Sequence, residues 1–489
     1  MAGPAAHGTW NTRFGFLMAA IGSSVGLGNF WRFPYTAGEN GGAAFVLVYL
    51  VCVALIAFPI LLAELSVGRH ARASAVGSTR KMAFDAGASE LWSIAGWVGM
   101  AGGVLILCFY SVVAGWVAAY VFQMVQGVFV EMDPVTAAEQ FGLLTGDTNT
   151  VIMWHAGFML VTIGIVCLGV TAGIERAVTI LMPLFFIMLV GMVIYGAVAG
   201  DVGAAARYLF VPDLTLSEEE VALLTARGIA PEDQSKAIIS FFNPATISLI
   251  TPNTVLEALG QAFFSIGVGS AIMITYGSYL RREDNLPQSS GIIAGADTMV
   301  AIIAGFAIFP FVFVFGMDAG AGPGLFFETM PAAFAQMPGG QWVGTAFFAL
   351  AFIAALTSSI SLLQVIVAFG EEHTDFGRVG SALFFGAIIF LLGIAAAMSG
   401  SFFDLLDVVS GKFLLPMGGL LIALFTGWVV SRALMRKELE EASNGFFGYW
   451  RFTIRYLAPI AVALIIIAGL ADTFGLTLPF LGQPEVSGG

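Results

Sequence analysis

The chain reads as an all-α integral membrane protein of about eleven transmembrane helices, and three observations carry that reading. Hydrophobic residues make up 58% of its 489 positions and charged residues only 10%, with a mean hydropathy of +0.91. So little charge cannot give a soluble core of this size a water-facing surface. Apolar runs of about 20 residues, long enough to cross a bilayer as a helix, recur along the chain. Two of those runs are interrupted at mid-span by glycine and serine. These are poor helix formers at a depth where broken backbone is tolerated only if it lines a protein-buried or wet cavity.

In order, the apolar runs predict spans at 12-36, 42-67, 91-127, 152-171, 174-199, 253-281, 290-316, 341-370, 378-398, 403-433 and 449-472. The first, third, sixth, eighth and tenth are long or interrupted by glycine. Pro323 to Met337 reads as a short re-entrant or surface helix. The whole chain, 1-489, is then one transmembrane domain, with a five-helix repeat over 12-199, a second over 253-433 and an additional helix at 449-472. Met1 to Asn11 has neither a basic segment leading into a short apolar run nor a cleavage site, and reads as a retained tail. Cys52, Cys108 and Cys167 fall inside apolar runs, where small buried hydrophobes are expected rather than a disulfide or metal ligands.

Basic residues set the orientation. With the N-terminus cytoplasmic, the inner loops and span ends hold Arg13, Arg69, Arg72, Arg80, Lys81, Arg176, Arg281, Arg282, Arg378, Arg432, Arg436, Lys437, Arg451 and Arg455. The outer loops are acidic, with Glu131, Asp133, Asp147, Asp213, Glu218, Glu219, Glu220, Glu232 and Asp233 against Arg207, Arg227 and Lys236. An odd number of spans leaves the C-terminal tail from Asp472 outside. The net charge of -13 gives no reason to expect nucleic acid. The expected partners are the lipid bilayer of the cell membrane and a small molecule.

The first interruption is Ile21-Gly22-Ser23-Ser24-Val25-Gly26-Leu27-Gly28-Asn29-Phe30 and the second runs from Gly260 to Ser270, five helices later. Paired breaks in corresponding positions of two five-helix halves point to an inverted-repeat transporter with its site at the repeat interface. Freed carbonyls, hydroxyls and amides at such breaks supply the oxygens a hard cation needs. Half-helix N-termini and exposed N–H groups suit a carboxylate. Two structural readings compete. Gly22 and Gly26 form a small-xxx-small pair that packs helices, and the hydroxyls of Thr357, Ser358 and Ser359 can bond back to the preceding helical turn.

Three separated motifs carry a resemblance. Gly22 to Pro34 with Glu39-Asn40-Gly41-Gly42, the Gly260-Gln261-Ala262-Phe263-Phe264-Ser265 run with Thr275-Tyr276-Gly277-Ser278-Tyr279, and Ala354-Ala355-Leu356-Thr357-Ser358-Ser359 resemble the neurotransmitter:sodium symporter family, in its prokaryotic amino-acid transporter branch with the leucine-transporter fold. The similarity runs from Trp10 to about Leu470, without the twelfth helix frequent in the family.

The resemblance implies two sodium sites. The first takes the Ser24 carbonyl, Asn29, Ser265 and Asp297; the second takes the carbonyls of Gly22, Val25 and Ala354 with the hydroxyls of Thr357 and Ser358. Asp297 departs from the family's usual asparagine, and Ala301 stands where chloride-dependent relatives have serine. A fixed intramembrane carboxylate is costly without a cation or proton, so Asp297 is expected to take the place of chloride, which is then not required. A carboxylate solvated in the inner vestibule is the structural alternative.

The substrate site implied comprises Ser23, Ser24, Gly26, Leu27, Gly28, Ile106, Tyr110, Phe264, Ser265, Gly267, Ser270, Ser358 and Leu362. Leu27, Gly28 and the Tyr110 hydroxyl would meet a carboxylate. Gly26 stands where amine-transporting relatives have aspartate, which favours an α-amino acid over a monoamine. Gly267 and Ser270 are smaller than in leucine-sized relatives, leaving room for a bulky aliphatic or aromatic side chain. Arg32 and Asp407 resemble the outer ion pair. Trp10, Ser278, Tyr279, Gln364 and Glu372 resemble the inner gate, whose usual N-terminal arginine is His7 here. For Glu372 a solvated loop charge is the plainer reading.

A passive channel would need a continuous polar pore, and the chain offers one central cluster with gates. An enzyme would need a nucleophile with a base, or a metal set. His7, His70, His155 and His373 are expected near span ends, with no His-Glu-x-x-His pattern. The function expected is sodium-coupled import of a hydrophobic or aromatic α-amino acid by alternating access, and no enzymatic activity.

Overall fold

The computed structural model describes residues 8–210, 250–317, 324–474 and 476. His7, the acidic loop residues Asp213, Glu218, Glu219, Glu220, Glu232 and Asp233, and Arg227 and Lys236 lie outside them. Among the described residues every regular element is helical. Nine helices among the described residues are long and apolar enough to cross a membrane, and a tenth span is formed by Arg13–Ser24 and Gly28–Glu39, which meet at a 49° bend. Pro252–Ile266 and Ile272–Ser278 follow one another as the two halves of the sixth span, giving eleven.

The two breaks have different local causes. In helix one, Arg13–Ser24 ends where Val25 turns to an extended conformation, and the chain resumes in a π-helical turn at Gly28–Arg32. In helix six, the residues between the halves include Gly267 at φ +71°, Gly269 at +86° and Ala271 at +63°. The left-handed region is open to glycine but costs alanine about 1 kcal/mol, so neighbouring contacts must impose it. One such contact is Glu64, buried in helix two, whose Oε1 accepts the Gly269 N–H at 2.7 Å.

Helix two, Ala43–Ala71, packs closely on the second half of helix six. A Cβ at Gly68 would stand 1.9 Å from the Ile274 carbonyl oxygen, and one at Gly277 would stand 2.6 Å from that of Leu65. Helix one meets helix eight, Gly340–His373, in the same way: a Cβ at Gly22 would lie 3.2 Å from Thr357 Cβ. Small residues thus bring the backbones together, and the broken segments face each other at the centre of the bundle.

The segment expected as a re-entrant or surface helix is buried. Its Leu325–Thr329 and Met330–Ala335 portions insert Phe326, Phe327 and Phe334 among the rings of Tyr120, Phe347 and Phe348. Pro323 lies outside the described residues. His155 departs from expectation too. It sits two turns inside the Thr148–Cys167 helix, stacked on Phe390 at 4.9 Å. Cys52 and Cys108 are buried, but Cys167 is partly exposed at its helix end.

Candidate functional site

A vestibule of about 1010 Å³ opens from one face of the bundle and descends to Leu27, Phe109, Tyr110 and Phe264. Its rim is charged, carrying Glu39, Glu257, Asp407 and Asp472 against Arg32 and Lys412. Below Phe264 the path towards the other face is closed by buried aromatic residues. The Trp10 indole N–H donates to the Tyr276 carbonyl at 3.2 Å, and its ring lies 5.2 Å from that of Tyr276 and 6.0 Å from that of Tyr279.

The residues expected around the first sodium come together. Asn29 Nδ2 donates to Ser265 Oγ at 2.8 Å, to Asp297 Oδ1 at 2.8 Å and to the Asp297 carbonyl at 3.1 Å, while Ser265 Oγ donates to Asp297 Oδ2 at 2.7 Å. Ser24 adjoins this group through its hydroxyl, which donates to the Ile266 carbonyl at 3.1 Å. Asn29 Oδ1 accepts the Gly26 N–H at 3.0 Å, so the amide nitrogen faces the carboxylate. A cation ligand needs the oxygen there, and a half-turn of the amide supplies it. Asp297 is fully buried in helix seven, Leu286–Val314. The alternative of a carboxylate solvated in an inner vestibule is therefore incorrect for this structure.

The residues expected around the second sodium also meet, at the seam of helices one and eight. Ser358 Oγ lies 3.1 Å from the Ala354 carbonyl, 3.3 Å from that of Ser23 and 3.5 Å from that of Gly22. Thr357 Oγ1 lies 3.1 Å from the carbonyls of both Ile353 and Ala354. Val25 closes the helical half beside them, its N–H bonded to the Ile21 carbonyl at 2.7 Å. The hydroxyls do bond back to their own helix, and the same oxygens border the break in helix one.

Between the two clusters lie the residues expected to hold substrate. The Leu27 N–H points at Tyr110 Oη, 3.3 Å away. A Cβ at Gly26 would stand 2.8 Å from Ser358 Oγ and 3.2 Å from Tyr110 Oη, and one at Gly28 would stand 2.9 Å from Phe264 Cδ1. Both glycines are thus needed for close approach. Ser23 Oγ is buried without a hydrogen-bond partner among the described residues, beside the break. Ser270 Oγ donates to the Gly267 carbonyl at 2.5 Å. Gly103 borders Ser270 and the Leu362 side chain, and Ile106 and Leu362 are each buried.

Two of the expected gate residues have other partners in this structure. Arg32 pairs with Glu257 at 4.0 Å and lies over the Phe264 ring at 5.0 Å. Asp407 shares the vestibule rim but makes no ion pair with Arg32 among the described residues. Inside, Gln364 Nε2 donates to Tyr279 Oη at 2.7 Å and Arg378 donates to Gln364 Oε1 at 2.6 Å, and Ser278 bonds back to the Thr275 carbonyl. Glu372 makes no hydrogen bond to Gln364, Tyr279 or Arg378 among the described residues. Its Oε2 accepts the Ser74 N–H at 2.7 Å, where the Ala75–Asp85 helix begins, because an anion there meets unpaired N–H groups.

Sequence reasoning passed over three side chains. Gln261 Nε2 donates to the Gly28 carbonyl at 2.9 Å and ties the two broken helices together. Glu64 supports the break in helix six, and Glu257 takes the guanidinium. Glu64 had a signal of its own, a lone carboxylate inside an apolar span.

Comparison with known proteins follows the same lines. The model of the sodium:neurotransmitter symporter family matches residues 7–131 and 220–479. The uncharacterized sodium-dependent transporter YhdH of Bacillus subtilis is 31% identical over 94% of this chain and 96% of its own length. An uncharacterized sodium-dependent transporter of Haemophilus influenzae is 31% identical over 94% of this chain and 98% of its own. The crystal structure of MhsT in complex with L-phenylalanine superposes with a TM-score of 0.79 at 38% identity, covering 94% of this chain and 99% of that one. The chain belongs to the sodium:neurotransmitter symporter family, and is a sodium-dependent multi-pass membrane transporter and not an enzyme.

Proposed function

We propose that the protein imports an α-amino acid with a hydrophobic or aromatic side chain, coupled to sodium at two sites and independent of chloride, by alternating access. The observation that carries this reading is Gly26, which leaves no room for a side chain between Ser358 Oγ and Tyr110 Oη. A charged amine without its own carboxylate would find no aspartate there. An amino acid brings the carboxylate to Leu27 N–H and Tyr110 Oη and can complete the first sodium shell at Ser24, Asn29, Ser265 and Asp297. Gly22, Val25, Ala354, Thr357 and Ser358 form the second. MhsT, which binds L-phenylalanine in its crystal structure, supports the choice of substrate class.

The two five-helix repeats are 12–199 and 253–433, with 449–472 outside them. Arg32 and Asp407 would come together as the vestibule closes, with Trp10, Tyr279 and Gln364 parting on the other side. The positive loops support an N-terminus in the cytoplasm and a C-terminus outside the cell membrane. Uptake into proteoliposomes tests the reading. An inward sodium gradient should accumulate labelled phenylalanine above equilibrium, in gluconate as in chloride. Equal uptake with and without the gradient would overturn it.

A further inference from the structure

The break in helix one makes Arg13–Ser24 a short rod that can pivot separately from Gly28–Glu39, so something must hold its free end. Trp10 ties one side, its N–H donating to the Tyr279 carbonyl at 3.2 Å. The other side is held by Glu175, which is 5% exposed. Its Oε2 accepts the Asn11 N–H at 2.9 Å, and its Oε1 accepts the Thr12 N–H at 3.1 Å and the Thr12 hydroxyl at 3.0 Å. These N–H groups precede the first turn of the helix, where no intrahelical carbonyl is available and a negative charge is favoured.

Both sides of the contact are shaped for it. A Cβ at Gly15 would stand 2.2 Å from Glu175 Oε1, so only glycine admits the carboxylate. Thr12 Oγ1 accepts the Gly15 N–H at 2.9 Å while donating to Glu175, which joins cap and carboxylate in one network. Glu175 itself closes the π-helical turn Val170–Glu175, which starts after Gly169 at φ +100°. Within that turn a Cβ at Gly173 would meet the Ile165 carbonyl at 2.1 Å. No ion pair of Glu175 occurs among the described residues, and Glu372, expected at the inner gate, is committed to Ser74.

We propose that Glu175 is the inner latch of the transport cycle: its carboxylate holds the start of helix one against helix five, Val170–Ala199, and inward opening requires those bonds to break. The inference rests on the symport reading above. Glu175 is a positioning residue, acting on sodium affinity through the pose of Arg13–Ser24, whose far end borders both sodium clusters. Glu175→Gln keeps the shape but removes the charge and turns one acceptor into a donor facing donors.

Hydrogen exchange on the purified full-length protein, with and without sodium, tests the latch. In the wild type, sodium should slow exchange of the amides at residues 11–15. In Glu175→Gln that segment should exchange at least about tenfold faster in saturating sodium, and half-saturation by sodium should rise several-fold with maximal binding retained. Thr12→Val, on the other side of the contact, should act in the same direction. The double variant should add little, as partners in one network do. If the wild-type segment ignores sodium, the symport reading fails. If it responds and both variants behave as wild type, the latch is overturned. Faster exchange that extends to the remote helix Gly377–Met398 would mean a role in folding alone, and would also overturn it.

Discussion

Asn29 Nδ2 lies 2.8 Å from Asp297 Oδ1, joining the break in helix one to a fully buried carboxylate in helix seven. Ser265, just before the break in helix six, bonds to both. A cation or substrate that reorganises one member must therefore move the others.

Sodium and substrate should thus bind interdependently. If the substrate carboxylate completes the shell around this cluster, linkage requires each to raise the affinity of the other by the same factor. Asn29→Ala removes the amide's contacts to Ser265 and Asp297 and leaves the buried carboxylate with Ser265 as its donor, so both affinities should fall by at least about tenfold. Calorimetric titration of phenylalanine across a sodium series, with lithium and potassium as controls, measures the factor. A substrate affinity independent of sodium would contradict the assignment.

Asp297 should also decide the anion requirement. A buried carboxylate already supplies the negative charge that balances a sodium ion, and helix seven has Ala301 rather than a hydroxyl one turn on. Wild-type uptake should be equal in chloride and gluconate. Asp297→Asn should be slower, or become responsive to chloride. Obligatory chloride dependence of the wild type would exclude this role.

Much of the architecture was legible because bilayer thickness and glycine placement leave few choices. The third span, expected at 91–127, is Glu90–Val125, and the ninth, expected at 378–398, is Gly377–Met398. Helix four, Thr148–Cys167, starts earlier than expected because Asp147 caps it ahead of the apolar run, accepting the Asn149 N–H. The two breaks were legible since their glycines sit in runs that cannot be continuous helix, whereas Asp297, Thr357 and Ser358 lie on unbroken helices and were reached only through the family resemblance. Partner choice at the periphery was not. Glu175 at a span end looks like any solvated charge, and only the fold brings it to Thr12. Glu372 and Arg32 carry the right charges for gates, yet local geometry gives the first to the Ser74 N–H and the second to Glu257.

An acid-sensitive clasp lies away from the site. Glu438, in the Arg432–Glu438 helix between spans, meets His70 Nδ1 at 2.9 Å, Arg282 at 3.1 Å and Arg69 at 3.7 Å. Burial acts to raise its carboxyl, but the His70 hydrogen bond and the charges of Arg282, His70 and Arg69 outweigh it, holding the group below the usual glutamate range. A depressed value means the stabilisation is complete above the unfolded glutamate pKa and is lost as pH falls through the folded one. Thermal stability should decline on acidification through that window. Glu438→Ala should flatten the decline and cost about 1–3 kcal/mol at neutral pH, since His70 and Arg282 lose their shared carboxylate while Arg69 keeps Glu441 at 3.4 Å. An unchanged acid profile in a scanning fluorimetry series would remove Glu438 from the clasp.

Pocket volume should set which amino acids bind. Gly103 lies against Ser270 and Leu362, where a Cβ would stand 3.2 Å from the Ser270 carbonyl and 3.4 Å from Leu362 Cδ2. Ser270 spends its hydroxyl on the Gly267 carbonyl, so it offers little polar demand to a substrate side chain. With few buried polar groups to satisfy, discrimination should follow side-chain size, each methylene contributing about 1–3 kcal/mol. Ser270→Phe should shorten the cavity and weaken tryptophan, phenylalanine and methionine by at least about tenfold, with alanine much less affected. The unwound stretch around Gly267 and Gly269 can shift to accept different ligands, so the loss should grow with substrate volume rather than appear at one threshold. Competition against a labelled amino acid across the twenty, in wild type and variant, measures that slope. Equal losses for alanine and tryptophan would show that Ser270 does not bound the side-chain pocket.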